Sequence, residues 1–133
     1  MIAHVIAHVI LDTNALSALA DGDPQASAIA RNAEVLMVPV IALGEYRFGI
    51  AQSRHAHAHE RWLSGFLGTC GVVPVDEQTT RIYAEVRTGL RQAGTPIPAN
   101  DAWIAALCLQ YGMAVMSRDR HFDLVQGLRR VGW

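Results

Sequence analysis

The sequence predicts an α/β fold: a mainly parallel sheet with helices on both faces. Short apolar runs alternate with helical patterns along nearly the whole chain, the order that yields parallel strands joined by crossover helices. Acids recur just past the apolar runs, where open α/β sheets present their binding crevice. At 133 residues, 51% of them hydrophobic, the chain has the size and apolar content of one domain with a substantial core.

Val9-Ile10-Leu11 predicts the first strand, since all three are large and apolar and two are β-branched. They run into Asp12-Thr13-Asn14, and a helical pattern starts at Ala15, so Asp12 stands at a strand's carboxyl end. A carboxylate there is a functional candidate; its alternative is a helix N-cap, a role open equally to Thr13 and Asn14. Residues 2–5 and 6–9 both read Ile-Ala-His-Val, and one copy suffices for the strand. The first copy either extends it or is an upstream addition, with His4 and His8 incidental. Asp21-Gly22-Asp23-Pro24 predicts a turn in which Asp23 caps a helix beginning at Pro24.

Val35 to Val38 is a second strand, ended by Pro39, and a helix follows from Val40 to about Ser53. On it Ile41, Glu45 and Phe48 fall at helical spacings on one face. A carboxylate on such an apolar stripe needs compensation, from an arginine elsewhere or from a metal ion. His55, His57 and His59 lack the further ligands of a zinc site and read as a solvated face. Trp62, Leu63, Phe66 and Leu67 give the apolar stripe of an amphipathic helix ending near Gly68. Val72 to Val75 is a third strand, which Pro74 assigns to the end or edge of a sheet.

Asp76 caps a helix running to about Gln92, with Glu77 and Glu85 exposed, and a Gly/Pro loop spans residues 93–98. The most hydrophobic helix opens at Ala99 and ends at Gly112. Asp101 lies in its first turn, where the helix dipole favours negative charge. Beyond it, Trp103, Ile104, Leu107, Cys108 and Tyr111 are expected to bury most of the circumference. Ala114 to Met116 is a fourth strand, and Asp119 stands to it as Asp12 stands to the first. Asp123 follows four residues later, and Leu128 to Val131 makes a short final strand.

Composition excludes several chemistries. The net charge is −1, and all 11 basic residues are arginine. Without lysine there is neither a Walker-type phosphate loop nor a Schiff-base enzyme. A near-neutral balance argues against bulk electrostatic binding of nucleic acid, though not against a local, metal-assisted site. The longest apolar run, Ala102 to Leu109, is too short to span a membrane. The N-terminus lacks the basic start of a signal peptide. Two lone cysteines, Cys70 and Cys108, fit a reducing compartment, so a cytoplasmic setting is expected.

Asp12, Asp101 and Asp119 are expected on one rim of the sheet, where Glu45 can join them from its helix. Two carboxylates ~5 Å apart at an effective dielectric of ~20 repel by roughly 3 kcal/mol. A divalent cation removes that repulsion, and magnesium or manganese prefer such oxygen donors. The chemistry implied is phosphodiester hydrolysis by metal-activated water.

Four segments together resemble a PIN-domain nuclease, and more closely the VapC toxins of bacterial type II toxin–antitoxin systems. They are Ile10 to Asn14, Val40 to Glu45, Ala99 to Ala106 and Ser117 to Phe122, in the family's order over nearly the whole chain. The resemblance implies a PIN-like three-layer sandwich with a sheet of four to five strands, formed by residues 1–133 as a single domain. It implies a magnesium-dependent endoribonuclease, manganese being a substitute, with Asp12, Glu45, Asp101 and Asp119 catalytic. Asp12, Asp101 and Asp119 would hold the metal, and Asn14, Ser117 and Asp123 would support them.

The implied partners are an RNA substrate, a second copy in a homodimer, and a VapB-type antitoxin whose C-terminal segment covers the site. Operator DNA would be reached only through the antitoxin, and no membrane is involved. Asp12 falls several residues later than the family's first acid, so the N-terminal repeat reads as an addition. The last motif offers both Asp119 and Asp123; Asp119 is favoured as the ligand, with Asp123 auxiliary or structural. Arg47, Arg118 and Arg120 are candidates for phosphate contacts. A haloacid-dehalogenase-type phosphatase is excluded by Asn14, which stands where its second Asp belongs, and by the missing lysine. The remaining competitor is a non-catalytic PIN-like binding module acting in a DNA-bound repressor complex.

Overall fold

Five parallel strands form one sheet in the order β3-β2-β1-β4-β5, in a computed structural model that describes residues 8–133. The strands are β1 (His8–Leu11), β2 (Val35–Pro39), β3 (Gly71–Val73), β4 (Ala114–Met116) and β5 (Arg130–Val131). Six helices connect them: α1 (Thr13–Ala20), α2 (Pro24–Asn32), α3 (Val40–Ala51), α4 (Ala56–Leu67), α5 (Glu77–Gln92) and α6 (Ala99–Tyr111). A 3-10 helix, Arg120–Leu124, precedes β5. The first Ile-Ala-His-Val copy, with His4, lies outside the described residues.

The alternating pleat of β1 splits the core into two. Val9 and Leu11 point into a layer with Leu16 of α1, Tyr46 of α3 and Leu63 of α4. Ile10 points the other way, into Ile104, Leu107 and Cys108 of α6 and Leu90 of α5. β4 repeats the division with Val115 and Met116. Each fully buried aliphatic side chain contributes roughly 1.5–3 kcal/mol, so both helical layers are held by the same central strands. Strand succession runs outward from β1 to β2 and β3 on one side, and β4 and β5 lie on the other. The gap between the carboxyl ends of β1 and β4 is therefore the sheet's switch point, the place where such sheets bind ligands.

Several boundaries differ from the sequence expectation. α1 begins at Thr13 rather than Ala15, because Asp12 itself is the N-cap. β3 ends at Val73, with Pro74 just beyond it on an edge strand, and β5 is only Arg130–Val131. Phe48 does not join the inward face of α3: it is 71% exposed, and the buried residues there are Ala42 and Tyr46. These two belong to different cores, so α3 has no single inward stripe. Tyr111 is likewise exposed, the last residue of α6, where Gly112 caps the helix with φ of 64° and its N–H donates to the Cys108 carbonyl. The caps form as expected: Asp23 accepts from the Ala26 N–H at 2.9 Å, and Asp76 forms a capping box with Thr79. Gln110 of α6 joins that box, pinning α5 against α6.

Candidate active site

Asp12 ends β1 and caps α1, its Oδ1 accepting the Ala15 N–H at 2.7 Å. Only 2% of the residue is exposed. Burial is the main reason its carboxyl is pushed up to about 6; the charges of Asp101 and Asp119 add to the rise. Hydrogen bonds from Ser117 and the Ala15 amide oppose it.

Ser117 follows β4 as Asp12 follows β1, an opposition set by the pairing of Leu11 with Met116. Its side chain is fully buried, and its Oγ accepts the Asp119 N–H at 2.9 Å. One hydroxyl thus serves both rim acids, donating to Asp12 while holding the backbone of Asp119.

Asp101 enters from the first turn of α6, its side chain 19% exposed. Burial raises its carboxyl above the ordinary range; His121 opposes this, while Asp119 and Glu45 add to it. Asp119 is the most open of the three aspartates, and Asn14 Nδ2 reaches its Oδ2 at 3.4 Å. Glu45 comes from α3, where its Oε1 accepts the Thr13 hydroxyl at 2.8 Å. Among the described residues no arginine pairs with Glu45; the Thr13 hydroxyl satisfies one of its oxygens but not its charge, which leaves the metal ion as the compensation to be proposed. The four acids, Thr13, Asn14 and the Pro98-Ala99-Asn100 turn line one open cleft of about 500 Å³.

Asp123 is not brought to the cleft. Arg130 grips it with a two-pronged contact, Nε to Oδ1 at 2.9 Å and Nη2 to Oδ2 at 3.2 Å, which holds its carboxyl below the usual range. Arg130 Nη1 also donates to the Ser117 carbonyl at 3.1 Å, so the pair braces the strand end that carries Ser117. None of the three candidate arginines lines the cleft. Arg47 pairs with Glu60 at 3.0 Å. Arg118 lies 3.8 Å from Asp23 and 4.9 Å above the Trp133 ring. Arg120 is exposed at the start of the 3-10 helix.

Two residues at the site were not singled out from the sequence. Thr13 read only as a possible cap, and its contact with Glu45 depends on α1 packing against α3. His121 lies two residues past Asp119, on a 3-10 helix whose three-residue turn leaves no α-helical period to follow. Its Nε2 stands 2.7 Å from Asp101 Oδ2 and 3.9 Å from Asp119 Oδ2. Among the described residues, Asp101, Asp119 and His121 each offer a ligand atom within 4.8 Å of the others. Converging carboxylates and a buried ring nitrogen with no aligned hydrogen bond make a donor set that fits a divalent cation.

The chain resembles known proteins along most of its length. A family model described as PIN domain matches residues 9–128. Ribonuclease VapC4 of Mycobacterium tuberculosis is 33% identical over 87 residues, 64% of this chain and 67% of that protein. Plasmid stability protein StbB of Pseudomonas syringae pv. tomato is 31% identical over 123 residues, 84% of this chain and 87% of its own. Among solved structures, FitAcB from Neisseria gonorrhoeae superposes with a TM-score of 0.80 at 26% identity, over 92% of this chain and 95% of that one. A DNA-bound VapBC from Salmonella typhimurium gives 0.86 at 24% identity, over 96% and 98%, a likeness of fold.

Proposed function

The chain belongs to the PIN-domain family, and on that premise we propose that it is a VapC-type endoribonuclease, the toxin of a toxin–antitoxin pair. The observation that carries this reading is the convergence of Asp12, Glu45, Asp101 and Asp119, from four separate segments, on one cleft at the sheet's switch point. Relatives named as ribonucleases support the activity. A relative from Mycobacterium tuberculosis, solved as VapBC-5 of the VapBC family of toxin–antitoxin systems, supports the partner, a VapB-type antitoxin, whose C-terminal segment we place over the cleft. Operator DNA is reached through that antitoxin, and two copies of the chain form a dimer.

Asp12, Asp101 and Asp119 hold the cation, Mg2+ with Mn2+ able to substitute. Such an ion, when bound, lowers the pKa of a water and neutralises charge on a phosphate. The protein's part is positional. Ser117 and the Ala15 amide keep Asp12 in place, and Asn14 steadies Asp119. Thr13 fixes one Glu45 oxygen, leaving the carboxylate free to accept a hydrogen bond from an attacking water. Asp123 acts at one remove, through Arg130 and the Ser117 carbonyl. Among the described residues no helix is long and apolar enough to cross a membrane. We assign the protein to the cytoplasm, where RNA is at hand.

The test is cleavage of total RNA by antitoxin-free protein, with Mg2+ and with EDTA, beside Asp101→Asn prepared identically. Discrete fragments that need both the metal and Asp101 are expected. Equal cleavage by the variant, or in EDTA, would overturn the site. No cleavage by folded wild type would favour a binding-only module.

A further inference from the structure

His121 has no part in the four-acid scheme, yet its position is strictly set. Its ring lies 5.0 Å from that of Phe122, tilted by 55°, and Phe122 is completely buried, so packing holds the imidazole where it is. Nε2 is shut off from solvent and faces Asp101 and Asp119. It comes within 2.7 Å of Asp101 Oδ2, an ion-pair contact with poor hydrogen-bond angles that still opposes the rise of the Asp101 carboxyl, and it stands 3.9 Å from Asp119 Oδ2. A ring nitrogen and a carboxylate oxygen this close but poorly aligned are better placed to share a cation than a proton. The three ligand atoms of Asp101, Asp119 and His121 share a space no more than 4.8 Å across, close to the spread of donors around one small cation.

We propose that His121 is a nitrogen ligand of the cation in this cleft, and that it tilts the site from Mg2+ toward first-row transition-metal ions. The proposal rests on the metal-dependent reading given above. Mg2+ takes oxygen donors and keeps much of its water, whereas imidazole suits zinc, iron, nickel and copper; Mn2+ also favours oxygen but exchanges a water for a nitrogen more readily than Mg2+ does. Exchanging the ring for an oxygen donor therefore weakens the two kinds of ion unequally. Glutamine at position 121 keeps a polar side chain of similar reach without the aromatic nitrogen.

Mn2+ is the probe, because its unpaired electrons report directly bound nitrogen. Pulsed electron paramagnetic resonance on the Mn2+-loaded full chain is expected to show coupling to one bound 14N. His121→Gln is expected to lose that coupling and to bind Mn2+ about tenfold more weakly, with Mg2+ affinity changed less than about threefold. Asp101→Asn is expected to lose Mn2+ binding, and melting curves in EDTA verify that both variants are folded. No 14N coupling in the wild type overturns nitrogen ligation without reference to any variant. Coupling that survives in His121→Gln, or equal loss of both ions, overturns it too. In those cases the metal site itself stands; a wild type that binds no Mn2+ overturns both.

Discussion

Asp12 caps α1 through one oxygen, and its carboxyl is buried deeply enough to be pushed up to about 6. Asparagine caps helices as well as aspartate does, so Asp12→Asn keeps the cap and removes only the charge. The native state raises this pKa above its unfolded value of 3.8, and ionisation therefore opposes folding. Metal-free protein suffers no such penalty below pH 4 and loses stability as the pH rises from about 4 through about 6. At neutral pH the loss is worth roughly 3 kcal/mol. Asp12→Asn is expected to melt higher than wild type at pH 7 in EDTA, and to match it near pH 4. A variant no more stable than wild type at pH 7 would show that Asp12 is better solvated than its burial implies. The convergence of the four acids was legible because Asp12 and Asp119 follow strands, Glu45 interrupts an apolar helix and Asp101 opens the most hydrophobic one. Thr13 and His121 were not, since their partners lie far along the chain and only packing brings them together.

α3 shows what an element can hide. Its sequence is apolar nearly all round, so spacing alone cannot say which side is buried; grouping Phe48 with Glu45 on an inward stripe failed for that reason. In the structure Tyr46 packs under Trp62 and Phe48 faces solvent. Phe48→Ser is accordingly expected to change stability by less than about 0.5 kcal/mol, and Tyr46→Ala to lower it by about 3–5 kcal/mol, both by denaturant unfolding. The reverse ranking would mean that α3 is rotated about its axis. Helices with one polar face, such as α5, and those with explicit caps at Asp23 and Asp76, were read correctly because the signal lies in neighbouring residues.

At the scale of the whole molecule, alternation of strand and helix gave the parallel sheet and its two helical layers. The order β3-β2-β1-β4-β5 was not legible, because apolar runs of three to five residues record burial but not which neighbour they pair with. The order matters, since it is what sets Asp12 beside Ser117 and Asp119. A cation that binds only this assembled set stabilises the folded state by mass action. Millimolar Mg2+ is expected to raise the wild-type melting temperature at pH 7 by several degrees, and to leave that of Asp101→Asn nearly unchanged, in a thermal melt. Equal shifts in both would mean that Mg2+ acts elsewhere on the protein.

The central strand β1 comes from the start of the described chain, and its neighbour β4 from near the end. During synthesis, β1 waits with one edge open while α1 to α6 leave the ribosome. Asp12, Glu45 and Asp101 are all made before Ser117 and Asp119 exist to face them. A chain stopped short of residue 119 carries most of the acids and none of their arrangement. Whatever the cleft does to RNA, the polypeptide acquires it only once β4, Ser117 and Asp119 have been translated.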